Sequence, residues 1–299
     1  MGSGGRRTGG NRIGEWGPAV VTLAAMIATP LAGRGGRVRQ VLSPVVVGGL
    51  AATTTAAATR RWGGARAATA AAVVAAGTGL VEGVGSRRGV PFGRYAYTDR
   101  LRPQIAGVPA VVPVAWWAMA LPAREAAVAA LGPHASRPRR IVAGAAALTA
   151  WDLFLDPQMV AEGFWTWARR GRYRGIPTTN FLGWFATGLA VMAVLELVLP
   201  PPTSTSSPAA AAPAGPAPAD TVSASVAWDD RTRHGDGHAV ANGAGDPVLV
   251  GAYAAMAVME TVGFAAFFRD RVVAAVGGAA MVPIAAAAVG RLARDRRRA

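Results

Sequence analysis

Apolar stretches approaching twenty residues recur along the chain, broken by short segments rich in arginine, glycine and proline. A helix of about 20 apolar residues crosses a hydrocarbon layer of roughly 30 Å, so this pattern predicts membrane-spanning helices. The candidate spans are Gly17 to Ala32, Val41 to Thr59, Ala67 to Gly85, Ile105 to Ala123, Ile141 to Val160, Phe181 to Leu199, Val248 to Phe268 and Val272 to Gly290. The expected fold is all-α, a polytopic membrane helix bundle of about six to eight transmembrane helices. Several spans are rich in alanine, glycine and threonine, which lets neighbouring helix backbones approach closely.

One interruption is long. Pro200-Pro-Pro-Thr-Ser-Thr-Ser-Ser-Pro208 opens a tract that ends near Pro247, and its composition cannot bury enough apolar surface to offset ordering entropy. The expected organisation is a transmembrane core over residues 1–199, a disordered linker over 200–247, and a C-terminal helix pair with a basic tail over 248–299. No internal repeat links the two parts. Within the linker, His234-Gly-Asp-Gly-His238 has glycines on both sides of its aspartate, which works against a helix that would aim the imidazoles together. The remaining histidine, His134, falls in a loop, so no metal site is expected. Gly77-Thr-Gly-Leu-Val-Glu-Gly83 is not a dinucleotide fingerprint, because Glu82 stands where the third glycine is needed; Gly79 and Gly83 have the spacing of close helix packing. The basic start Met1-Gly-Ser-Gly-Gly-Arg-Arg7 is followed by no small-residue cleavage site, so the first run is read as a retained span or interfacial helix.

Charge and cysteine content narrow the function classes. The net charge is +15 and every basic residue is arginine. These arginines are scattered through all the interhelical loops, which fits anionic lipid headgroups as partners and not nucleic acid. They divide too evenly between the two sides to fix orientation. The absence of cysteine excludes disulfides, thiolate nucleophiles and Cys-ligated metals. The bias to Ala, Gly, Arg and Pro suggests a GC-rich bacterial genome, hence a multi-pass protein of a bacterial cell membrane.

Candidate chemistry gathers on one side. The segment from Val81 to Asp99 follows the third span, and the segment from Trp151 to Trp184 straddles the end of the fifth and the start of the sixth. Odd-numbered spans all end on one face, so both segments emerge there. A charged side chain deep in lipid costs roughly 2.5–3.5 kcal/mol on insertion scales, so the carboxylates in this layer need a reason to be present. They are Glu82, Asp152, Asp156 and Glu162, with Asp99 closing the first segment as a further candidate acid. Asp152 and Asp156 lie one helical turn apart on the same face, so one of them is expected to keep its proton and serve as a general acid. Alternatively, one pairs with a loop arginine, or Asp156-Pro157 caps a turn.

Aromatic and amide side chains crowd the same layer. Phe92, Tyr95, Tyr97, Trp151, Trp165, Asn180 and Trp184 are the candidate substrate-binding residues, because ring faces stabilise a transient carbocation formed when an acid protonates an alkene. An interfacial aromatic belt would account for the rings equally well. Pro91 and Gly93 permit a turn that folds the loop from Gly89 to Asp99 back over the bundle mouth, bringing Tyr95 and Tyr97 towards the carboxylates. Trp116 and Trp117, bracketed by Pro113 and Pro122, are expected to shape a kinked lipid-facing helix. Glu260, near the middle of the seventh span, either lines the same cavity or bonds to a neighbouring helix.

Four strings in order carry a resemblance. They are Gly89-Val-Pro-Phe-Gly-Arg-Tyr-Ala-Tyr97, Gly107-Val-Pro109 with Pro113 to Met119, Trp151-Asp-Leu-Phe-Leu-Asp-Pro-Gln-Met159, and Gly175-Ile-Pro-Thr-Thr-Asn-Phe-Leu-Gly-Trp184. The chain resembles the carotenoid biosynthesis membrane-protein family of the bisanhydrobacterioruberin hydratase and gamma-carotene 1'-hydratase type. That resemblance implies a cofactor-independent hydratase, a hydro-lyase adding water to the terminal isopropylidene double bond of a C40 or C50 carotenoid to leave a tertiary alcohol. It implies a carotenoid or other polyprenoid substrate and, as further partners, other enzymes of the same pathway. The competing class is a non-catalytic carotenoid- or polyprenol-binding membrane partner, or a small transporter, although no inverted repeat supports the latter.

Overall fold

The computed structural model describes residues 12–33, 36–200 and 245–298. His234, Asp236, His238 and most of the expected linker lie outside the described residues. Helices dominate: α1 (Arg12–Leu31), α2 (Arg37–Trp62), α3 (Gly64–Arg88), α4 (Val111–Leu131), α5 (Arg137–Ala161), α6 (Thr178–Val198), α7 (Pro247–Val262) continued by a π turn (Gly263–Phe267), and α8 (Arg271–Arg298). Short strands lie between them: β1 (Tyr95–Tyr97), β2 (Gln104–Ile105), β3 (Val108–Pro109) and β4 (Trp165–Trp167). The fold is an all-α membrane helix bundle. Helices α2, α3, α6, α7 with its π turn, and α8 are each long and apolar enough to cross a membrane, and Gly17–Leu31 of α1 is a shorter apolar helix.

Helix α4 occupies the interior. From Trp116 to Ala129 nearly every residue of α4 is buried, and it packs against α2, α3, α5, α6, α7 and α8. A helix apolar on all sides belongs in the middle of a bundle. The fourth expected span, Ile105 to Ala123, is therefore displaced. Ile105 belongs to the β2–β3 hairpin, turned at Gly107 (φ +84°), and α4 begins only at Val111. At its other end α4 runs on through Arg124 and Glu125, because both find partners. Arg124 donates to Glu196 Oε1 at 3.0 Å and to the Leu199 carbonyl at 2.8 Å, while Arg140 donates to Glu196 Oε2 at 2.6 Å. Glu125 accepts from the Asp246 backbone N–H at 2.8 Å, and Asp246 caps α7 by accepting from Val248 and Leu249. This ionic cluster ties α7 to the core at the end opposite the motif segments.

Those segments meet at the other end. Gly89, in the left-handed conformation, stops α3 by returning its N–H to the Gly85 carbonyl. Beyond it β1 pairs antiparallel with β4, in the register Tyr95↔Trp167, Ala96↔Thr166 and Tyr97↔Trp165. Alternate residues of a strand share a face, so Tyr-Ala-Tyr and Trp-Thr-Trp set four aromatic rings on one side and two small residues on the other. Phe92 fixes the loop beneath them. It is 1% exposed, and a Cβ at Gly85 of α3 or Gly183 of α6 would lie within 2.8 or 2.7 Å of its ring. The two helices can pass on either side of this ring because both positions are glycine.

Candidate functional site

Glu82, near the end of α3, is buried with both carboxyl oxygens engaged. Oε2 accepts from the Tyr95 hydroxyl and, at 2.9 Å, from the Tyr97 hydroxyl; Oε1 accepts from Trp116 Nε1 at 3.0 Å. Burial first, and the charge of Glu82 second, push both phenols above their ordinary value, so they stay protonated as donors. The loop does fold back onto the carboxylate layer, as Pro91 and Gly93 allow.

Asp152 and Asp156 sit one turn apart on α5, each 1% exposed. Asn180, in the first turn of α6, bridges them by donating from Nδ2 to both Oδ2 atoms at 2.7 Å. Trp165 Nε1 of β4 donates to Asp156 Oδ1 at 2.6 Å. Among the described residues Glu82, Asp152 and Asp156 form no ion pair, so neither aspartate has the arginine partner that would make it merely structural. Three buried carboxyls held only by neutral donors form a site where proton transfer changes the net charge of a poorly solvated space.

A cavity of about 160 Å³ opens onto this cluster. Glu82, Asp156 and Asn180 form its polar wall, whereas Asp152 reaches it only through Asn180. Much of the remaining surface is apolar, from Met26 of α1, Val47 and Leu50 of α2, and Met256 and Met259 of α7, with Thr29, Ser43, Gln158 and Glu260 among it. Aromatic rings frame the polar end. Trp116 stacks on Trp184 with centroids 4.0 Å apart, Trp151 meets Trp184 edge to face at 6.0 Å, and Tyr97 meets Trp165 at 5.8 Å. The indole nitrogen of Trp151 and Asp152 Oδ1 are buried without a hydrogen-bond partner among the described residues, whereas the Trp167 indole lies against Asp156.

Some expectations are corrected. Asp99 does not join the site: its side chain is 84% exposed and pairs with Arg102 at 2.5 Å, because the chain turns outward after β1. Glu162 shares the layer but is held by Arg39 and is not among the residues lining this cavity. Trp116 and Trp117 do not face lipid. Both are buried, Trp116 on Glu82 and Trp117 donating to Thr55 Oγ1 at 2.9 Å. The apolarity of α4 around its circumference from Val111 to Ala123 was the sequence signal for an interior helix. Phe92 supports the loop and also lines the cavity, as do Tyr95, Tyr97, Trp151, Trp165 and Trp184. Glu260, for which two placements were open, lines the cavity wall. Among the described residues no three His, Asp or Glu side chains converge as a metal-ligand set.

Comparison with known proteins gives the family. The sequence model of the family described as "Carotenoid biosynthesis protein" matches residues 41–227, more than half of the chain, and the chain belongs to that family. A bisanhydrobacterioruberin hydratase from Haloarcula japonica is 33% identical over 118 residues, which are 39% of this chain and 40% of that protein. The chain thus spans less than half the length of this curated relative. No solved structure matches.

Proposed function

We propose, from membership of the carotenoid biosynthesis proteins, that this protein hydrates the terminal isopropylidene double bond of an acyclic carotenoid end group. The observation that carries the reading is the cavity itself. Three carboxyls without counter-cations among the described residues, framed by aromatic faces, stand at one end of a largely apolar cavity. A polyene is nearly as long as a bilayer is thick, roughly 30 Å, so its shaft is accommodated among helices while its end group reaches the polar layer.

The roles follow from the geometry. Asp156, facing the cavity, gives a proton to the less substituted alkene carbon; the π bond breaks, a C–H bond forms, and the positive charge falls on the tertiary carbon. The Glu82 carboxylate and the faces of the Trp116–Trp184 stack stabilise that cation. The unpartnered indole N–H of Trp151, which borders the cavity, is suited to hold a water molecule. Its oxygen bonds to the cationic carbon while Glu82 takes the surplus proton, which returns to Asp156 by exchange with solvent. The sum is alkene plus water giving a tertiary alcohol, with no redox change. Tyr95 and Tyr97 hold Glu82 in place, and Asn180 and Asp152 position Asp156.

The test is expression in a host that makes no carotenoid of its own, supplied with an acyclic carotenoid, followed by mass analysis of the pigment. Gain of one water per reacting end supports hydration. Pigment that co-purifies unchanged with a correctly inserted protein would instead identify a carotenoid-binding partner without catalysis.

A further inference from the structure

Glu260 is a third carboxyl on the cavity wall, beside Glu82 and Asp156, and the mechanism above does not use it. It lies in α7, beyond the residues matched by the family model, one turn from the point where the helix widens into the π turn at Gly263. Among the described residues it makes no side-chain hydrogen bond or ion pair. The lining it shares is mostly apolar, with Met256 and Met259 of α7, Phe268 beyond the π turn, and Pro30 and Pro44 from α1 and α2, although Thr29, Ser43 and Gln158 also line the cavity. A carboxyl in such a wall costs stability during insertion unless something donates a hydrogen bond to it. Local widening of a helix into a π turn recurs at functional sites, where it re-aims side chains near the bulge.

A hydrocarbon ligand offers this carboxyl nothing. The other cavity carboxyls are already served by Tyr95, Tyr97, Trp116, Trp165 and Asn180, so the unmatched acceptor calls for a donor carried by the ligand. The apolar surface around it admits a hydroxyl on a long hydrophobic chain and disfavours a highly charged or strongly hydrated group.

We infer that Glu260 is a hydroxyl-recognition site, and that the cavity holds polyprenoids bearing an alcohol more tightly than the parent hydrocarbons. The inference rests on the reading above that the ligand is a long polyprenoid. The alcohol comes either from the reaction itself, as the new tertiary hydroxyl, or from oxygen already present at the far end of the substrate.

The experiment is quenching of tryptophan fluorescence in the full-length protein, reconstituted in nanodiscs, by three polyenes of equal length. One is the hydrocarbon, one carries the tertiary alcohol at a single end, and one carries a hydroxyl at one end with a saturated, unreactive other end. Glu260→Leu should weaken binding of at least one alcohol by about tenfold or more, the loss of one charge-assisted hydrogen bond, while changing hydrocarbon affinity by less than about twofold. Loss with the first alcohol alone assigns the site to product; loss with the unreactive alcohol assigns it to a pre-oxygenated substrate. Equal loss for alcohols and hydrocarbon, or no loss for any, overturns the inference. Glu260→Gln, which keeps a carbonyl acceptor and the side-chain volume, should show a smaller shift in the same direction, and it carries the test if the leucine variant does not accumulate. Because binding is read without turnover, selective binding without hydration would sink the reaction and spare Glu260. Hydration without selective binding would do the reverse.

Discussion

Asp152 and Asp156 should respond unequally to the same isosteric change, and the hydrogen bonds give the reason. Asp156 uses both oxygens, Oδ1 for Trp165 and Oδ2 for Asn180. An asparagine there has one acceptor for two donors, so one buried N–H loses its partner at a cost of about 1–3 kcal/mol, and the acid is removed as well. Asp152 accepts only through Oδ2, and its Oδ1 has no partner among the described residues. An asparagine at that position can keep its oxygen on Asn180 and place its amide nitrogen where no bond was made. The Asp156→Asn variant should therefore lower hydration by about a hundred- to ten-thousandfold, the range of a lost general acid, and Asp152→Asn by less than about tenfold. The assay is initial rate of alcohol formation in membrane vesicles, normalised to inserted protein measured by in-gel fluorescence of a fused reporter. Asp156→Asn at wild-type rate, or Asp152→Asn more damaging than Asp156→Asn, would refute both the assigned acid and its orientation towards the cavity.

Removing single donors from Glu82, by Tyr97→Phe or by Trp116→Phe, should each reduce the hydration rate by about tenfold, consistent with roughly 1.5–3 kcal/mol for a hydrogen bond to a charged group. Asp99→Asn should leave activity unchanged because that side chain is solvated, and a large loss would return it to the site. Gly183→Ala places a Cβ 2.9 Å from the Pro91 backbone, so it should displace the loop and destabilise the fold by about 1–3 kcal/mol, seen as a lower melting temperature and faster proteolysis between Gly89 and Asp99. Arg124→Ala leaves Glu196 to Arg140 alone and takes the donor from the Leu199 carbonyl, and should cost about 1–3 kcal/mol in thermal unfolding; a near-neutral result would mean that water replaces the guanidinium. Because Tyr95 and Tyr97 are pushed above 10.0 in the folded protein, the stability they confer is complete below that pH and declines as pH rises past it. Melting temperatures of the Tyr95→Phe/Tyr97→Phe double variant should fall less steeply over that alkaline range than those of wild type.

The sequence by itself determined the helices, their alternation and the face on which chemistry gathers. Periodic apolar length is a local property, and parity then forces the ends of α3 and α5 onto one side. The spacing of Asp152 and Asp156 and the turn at Pro91-Phe92-Gly93 are local too, so their consequences were legible before any packing was known. Only the tertiary structure decided which polar groups meet. Nothing near Trp116 in the chain says that its indole reaches Glu82, and nothing around Asp99 says that it turns outward to Arg102. The boundaries of α4 were misplaced for the same reason, since Arg124 and Glu125 can remain in a buried helix only because Glu196, Arg140 and Asp246 arrive from other helices. Whether a buried charge is satisfied depends on groups far away in sequence, and hydropathy read along one segment carries no information about them.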